Sequence, residues 1–187
     1  MNVKAVFAST PVLERLRAET RPQHHAIETA LELTSDTLTL GTYRQTLARF
    51  HGLYRPLEVG VQSVGGWADR GLDLAGRWKP PLLEADLGAL GVDDPAALPV
   101  CTDLPPHATV AAVFGCLYVL EGATLGGQVI SRALEKSLGI TPQAGDRTGK
   151  MWQAFRAALT AFAVAPCEQD EIVSAAKDTF FEIASLD

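Results

Sequence analysis

The chain has 187 residues, 47% of them hydrophobic and 20% charged, with 22 acidic against 16 basic side chains and a net charge of −6. That length fits one domain around a single sizeable core, and the apolar fraction is too high for a disordered chain. An acidic balance without a dense Lys/Arg tract leaves little to neutralise phosphates, so a nucleic-acid partner is not expected. Cys101, Cys116 and Cys167 form no CxxC pair and read as free thiols in a reducing compartment. The opening MNVKAVFASTP holds only a very short apolar stretch, below the about 7–15 residues of a secretory core. The longest apolar run, Thr109 to Leu120, covers 12 residues before Glu121, short of the roughly 20 that span a bilayer. A buried helix in a soluble, cytoplasmic protein is the expectation, as one domain over residues 1–187 with 1–8 as a disordered lead.

Helical periodicity dominates from there on. Ser9 or Thr10 before Pro11 reads as an N-cap followed by a first-turn proline. Val12, Leu13, Leu16, Thr20, His24, Ile27 and Leu31 then recur at spacings of three and four. Pro22 interrupts the pattern, which leaves either a kinked helix or two helices, the second starting near Thr20. Thr39–Thr42 signals the next start, leading into Tyr43, Leu47, Phe50, Leu53, Tyr54 and Leu57. Gly60–Gly71, with Gly65-Gly66, ends or breaks that region. Lys79–Leu90 reads as a short helix opened by prolines, and Asp93–Pro106 as an irregular connection. Ala108–Leu138 forms one long helical stretch closed by Gly139 and Pro142. Thr148–Ala163 and Glu168–Ser185 are two final amphipathic helices, separated at Pro166. The fold class is all-α, in a single multi-helix domain.

The most apolar helix carries Gly115, Gly122, Gly126 and Gly127. A helix-interior glycine costs about 1 kcal/mol relative to alanine, so four cost roughly 3–4 kcal/mol of a stability that is typically about 5–15. Gly122 and Gly126 lie four apart on one face, with Gly115 two turns earlier on roughly the same side. Such a stripe admits either a neighbouring helix or a flat ligand directly onto the backbone. The adjacent Gly126-Gly127 pair loosens the helix and suits a bend over a ligand.

His24 and His25 sit in LRAETRPQHHAIE. On a helix, Glu28 shares the face of His24, and a carboxylate beside one imidazole nitrogen orients the other toward a metal. Arg17 and Arg21 fall on the same helical side and could pair with anionic groups of a ligand. Taken alone, a histidine near a helix surface is more often solvated than metal-bound, and His51 and His107 carry the same reservation. A di-iron centre needs about six inward ligands with Glu-x-x-His pairs. This chain has no Glu-x-x-His, and its Asp103-to-His107 spacing spans Pro105-Pro106. A haem site needs one protein ligand and fits better.

LRAETRPQHHAIE resembles the proximal helix of haem oxygenases, and LYVLEGATLGGQVI resembles their distal helix. The second motif is especially similar to the bacterial branch associated with bacteriophytochromes. TYRQTLARFHGLYRPLE, RWKPPLLEADLGALG, WQAFRAALTAF and IVSAAKDTFFEI are similar to the remaining helices, in the family's order. The resemblance implies a haem sandwiched between the proximal and distal helices, as both cofactor and substrate. It implies O2- and electron-dependent cleavage to biliverdin, CO and free iron.

Carried over by position, His24 is the axial ligand of the haem iron, with Glu28 its neighbour. Arg17, Arg21 and Arg156 fall where the family places propionate contacts. Gly122, Gly126 and Gly127 form a kinked stretch over the haem, and Phe180 lines the pocket. The distal aspartate of several members is here Ala123, so the Gly122 carbonyl, freed by a kink, or the Thr124 hydroxyl would anchor the water network in its place. The implied partners are haem, O2, an electron donor such as ferredoxin, flavodoxin or a reductase, and a bacteriophytochrome receiving biliverdin. A catalytically silent haem-binding or haem-transfer protein on the same fold is the alternative, followed by an unrelated all-α interaction module.

Overall fold

The computed structural model describes residues 11–31, 33, 35, 37–102, 104, 107–142 and 148–185. Six α-helices follow one another: α1 Pro11–Leu31, α2 Leu40–Ser63, α3 Pro80–Ala89, α4 Val110–Leu138, α5 Thr148–Phe162 and α6 Pro166–Ala184. Single 3₁₀ turns at Ala68–Arg70, Ala75–Arg77 and Pro95–Ala97 punctuate the connections, and no strand occurs among the described residues. The expectations for residues 1–8 and for a Ser9 or Thr10 cap lie outside the described residues.

Local chemistry sets most boundaries. The Thr39 hydroxyl accepts the Thr42 N–H at 3.1 Å, and Thr109 accepts the Ala112 N–H at 3.0 Å. Each satisfies a donor that a helix start leaves orphaned. Gly139, at φ 68°, closes α4 in the left-handed region that side-chain-bearing residues avoid. The last helix opens earlier than its pattern suggests. Pro166 is its first residue, and Glu168 reaches back to accept the Val164 and Ala165 N–H groups at 3.1 and 2.9 Å.

Of the two options at Pro22, the chain takes the single helix: α1 runs through it. Ala18 and Pro22 are both exposed, so the carbonyl that loses its partner faces water. Pro56 poses the same problem inside α2, where Gly52 is buried. There the Cys101 N–H donates to the Gly52 carbonyl at 2.9 Å. A Cβ at Gly52 would lie 2.7 Å from the Pro99 oxygen, so this glycine admits the connection that repairs the proline defect.

Helix α4 packs along α6 and against α5, α1 packs on α6, and α3 rests on α2. Its length and mean hydropathy of 1.5 would suffice for a membrane span, yet half of that window is buried inside the protein. The main core joins Leu13, Leu16, Leu57, Phe114, Phe155 and Ile172 from five helices. A second cluster joins Leu33, Leu38, Tyr43, Leu47, Leu87 and Leu134. The two clusters do not merge, and the space between them is the site.

Candidate functional site

A cavity of about 900 Å³ opens between α1, α2, α4 and α6, within the roughly 300–1,000 Å³ of small-molecule sites. Leu33, Tyr43, Leu47 and Leu134 of the second cluster line it on one side, and Tyr54, Val119, Phe180 and Ile183 of the main core on the other. The three tyrosines of the chain, Tyr43, Tyr54 and Tyr118, all reach it. Each offers an apolar ring with a polar tip.

His24 is the histidine in this lining. Its Nδ1 lies 3.4 Å from Glu28 Oε1 across one helical turn, which leaves Nε2 as the nitrogen turned away from the carboxylate. Phe180 of α6 meets the imidazole edge-on, with ring centroids 5.9 Å apart at 70°. His25 is exposed and does not line the cavity. His51 is fully buried, with Nε2 3.0 Å from Glu84 Oε1. Its Nδ1 has no hydrogen-bond partner, so Nε2 carries the proton and donates to Glu84; this histidine ties α2 to α3. His107 lies against Gly60, where burial lowers its pKa.

The glycines of α4 divide into two groups. A Cβ at Gly115 would collide with the Ile172 carbonyl of α6 and come within 2.8 Å of Ala175 Cβ and the Ala176 nitrogen. Gly115 therefore serves helix packing, which corrects its place in the ligand-facing stripe. A Cβ at Gly122, Gly126 or Gly127 would meet nothing within 4 Å, and all three line the cavity. Helix α4 runs without a break through this glycine stretch, from Val110 to Leu138. The Thr124 hydroxyl donates to the Leu120 carbonyl at 2.9 Å, leaving its lone pairs for the cavity that it lines.

Arg17 and Glu28 line the cavity, whereas Arg21 and Arg156 lie outside the lining. Sequence reasoning overlooked Lys79, which borders the same space, and a buried cluster next to it. Arg77 and Glu121, 7% and 4% exposed, form an ion pair, and the Arg77 Nη2 also donates to the Met151 carbonyl at 2.9 Å. Glu58, also 7% exposed, accepts the Lys79 backbone N–H at 3.1 and 3.0 Å. Burial pushes the Glu58 carboxyl up to about 7, and the Glu121 charge adds to this, while the Lys79 N–H and ammonium pull it down. Burial lowers Lys79 in turn. The one local sign of this cluster was Glu121 interrupting an apolar run.

A single histidine, an apolar slot and a helix stretch with three glycines in the lining form a set that fits a porphyrin: one nitrogen donor, a flat face and a cation at the edge. The family model described as "Heme oxygenase" matches residues 93–184. Over that stretch the chain is similar to haem oxygenases. A heme oxygenase of Xanthomonas campestris is 39% identical over 100 residues, covering 51% of this chain and 54% of that protein; the match spans about half the length of this curated relative. Among solved structures, the NO- and CO-bound heme oxygenase of Neisseria meningitidis superposes with a TM-score of 0.73 at 19% identity, over 94% of this chain and 89% of that one. The heme oxygenase-1 of the cyanobacterium Synechocystis, in complex with heme, gives 0.68 at 15% identity, over 95% and 90%. These likenesses establish the all-α haem oxygenase fold.

Proposed function

We propose that this chain is a haem oxygenase, an active enzyme that cleaves haem, with O2 and electrons, to biliverdin, CO and free iron. The observation that carries this reading is the open cavity in which His24 and the glycines Gly122, Gly126 and Gly127 line one space. Bound haem would supply the iron that takes up O2 and would itself be the substrate.

The residues of the chain bind, orient and shield. His24 would hold the haem iron through Nε2, with Glu28 beside Nδ1 fixing the ring orientation and raising the basicity of the donor. As a ligand, a neutral imidazole would lack the strong electron donation of a thiolate. Arg17, the one of the three candidate arginines that lines the cavity, would pair with a carboxylate of the bound haem and help orient it. Phe180 packs on the His24 edge. Gly122, Gly126 and Gly127 let the helix backbone press close to the opposite face. Thr124 offers acceptor lone pairs to ordered water where Ala123 provides none. A ferredoxin, flavodoxin or reductase would deliver electrons, a bacteriophytochrome would receive biliverdin, and the cytoplasm would be the setting.

Hemin titration followed by absorption spectroscopy, then reductant and O2 with product analysis, tests the proposal. His24→Ala is expected to lose the histidine-ligated spectrum and turnover, and His25→Ala to keep both. An unchanged spectrum in His24→Ala removes the central assignment. Stable hemin binding by the wild type without biliverdin would favour the silent haem-binding alternative.

A further inference from the structure

Ala123 leaves the glycine turn without an acid, yet the cluster immediately N-terminal to it in α4 is rich in ionisable groups. Glu58, Arg77, Lys79 and Glu121 border a second, small cavity of about 20 Å³, room for one water. The Nε of Arg77 is buried without a hydrogen-bond partner, and the two carboxylates supply acceptors, so a water has the polar contacts it needs. Lys79 lines both this cavity and the large one. The wall between them is a single turn of α4: Leu120 and Glu121 face the small cavity, Val119 and Gly122 the large. Tyr54, one turn before Glu58 on α2, also reaches the large cavity.

We propose that Glu58 is the proton-supplying residue for the chemistry of the large cavity, acting through a water in the small cavity and through Lys79. The transfer balances as a relay. The Glu58 O–H bond breaks and the water accepts that proton. The Lys79 ammonium releases a proton into the large cavity, and the neutral amine so formed takes one from the water. Glu58 is left as a carboxylate on the Lys79 N–H, and solvent returns its proton. Reduction of O2 takes up protons, so the inference rests on the haem-cleaving reading above.

The surroundings of Glu58 support the assignment. Arg77, which lines the same small cavity, is committed to Glu121 and to the Met151 carbonyl, so it does not hold Glu58 ionised. The charged and titratable groups around it are Tyr54 on its own helix, Lys79 ahead of α3, Arg77 in the 3₁₀ turn, and Glu121 and Cys116 on α4. Burial and the Glu121 charge keep its proton near neutrality. Glu58 touches no substrate in this arrangement, and its role is exerted through Lys79.

Infrared difference spectra of the ligand-free protein between pH 5.5 and 8.5 should show a protonated-carboxyl band that titrates near neutrality and is missing in Glu58→Gln. With hemin, Glu58→Gln should keep the wild-type absorption spectrum, lose about 10²-fold in turnover, at the low end of general-acid contributions, and no longer show the wild-type fall in rate above pH 7. Lys79→Met should lose a similar factor and keep the band. Absence of a titrating band in the wild type overturns the proposal, as does Glu58→Gln turning over at full rate with an unchanged pH profile, or Lys79→Met at full rate. If Glu58→Gln does not fold, the wild-type band and Lys79→Met decide the matter. Failure of the wild type to bind hemin would sink the haem reading, while the band would still report on the proton at Glu58.

Discussion

Replacing Gly115 and Gly126 by alanine, one at a time, should move stability in opposite directions. Both substitutions remove the helix-interior glycine penalty, worth about 1 kcal/mol. At Gly126 the new Cβ meets nothing within 4 Å, so the ligand-free protein should gain most of that amount. At Gly115 the Cβ runs into the Ile172 carbonyl and the Ala176 nitrogen, backbone atoms that cannot swing aside. Overpacking of this kind costs typically about 1–3 kcal/mol, and with backbone on the far side the upper part of that range applies. The net expectation is a loss of about 1–2 kcal/mol for Gly115→Ala and a gain of about 0.5–1 kcal/mol for Gly126→Ala. For a chain of this size, 1 kcal/mol moves Tm by roughly 2–4 °C. Urea and thermal unfolding of the ligand-free proteins, followed by circular dichroism, resolve both shifts. Hemin titration of the same samples should show weaker binding for Gly126→Ala despite its higher Tm. A Gly115→Ala protein as stable as the wild type, or a destabilised Gly126→Ala, would refute the division of the glycines into packing and ligand-facing groups.

Gly122→Leu should fold and retain His24 ligation while impairing oxygen-dependent turnover by at least tenfold; full biliverdin formation would count against close backbone approach. Arg77→Ala leaves Glu121, 4% exposed, without its cation and should cost about 3–5 kcal/mol. The Arg77→Met/Glu121→Leu double variant should recover much of that in chemical denaturation. The Glu58 carboxyl, raised from 4.5 to about 7, binds its proton more tightly folded than unfolded. Its contribution is therefore fully present below pH 4.5 and is lost as pH rises through 7, to an extent of up to about 3 kcal/mol. Unfolding free energies of wild type and Glu58→Gln should converge or cross between pH 5 and 8, and a pH-independent difference would contradict the raised value.

Features that depend on a few neighbouring residues were legible along the chain. Thr39, Thr109 and Gly139 are caps whose partners lie within about four residues, and they end or begin helices where their chemistry requires. Histidine and carboxylate one turn apart, as in His24 and Glu28, likewise announce themselves, because helical spacing alone puts them on one face. Pro22 was ambiguous because exposure of the Ala18 carbonyl, not the proline, decides whether the helix can continue.

Other properties depend on what a distant segment does. Gly115 and Gly122 are seven residues apart on nearly one face of α4, and the sequence cannot distinguish them. Only the course of α6, which closes on the first and leaves the second open, makes one a packing glycine and the other a cavity wall. Arg17, Arg21 and Arg156 are equal as cations, and the fold brings Arg17 alone of them to the cavity. Glu58, Arg77 and Glu121 look like ordinary surface charges in a row of letters. Burying them together takes α2, a 3₁₀ turn and α4 converging, because removing a charge from water is tolerable only beside a partner that arrives from elsewhere in the chain.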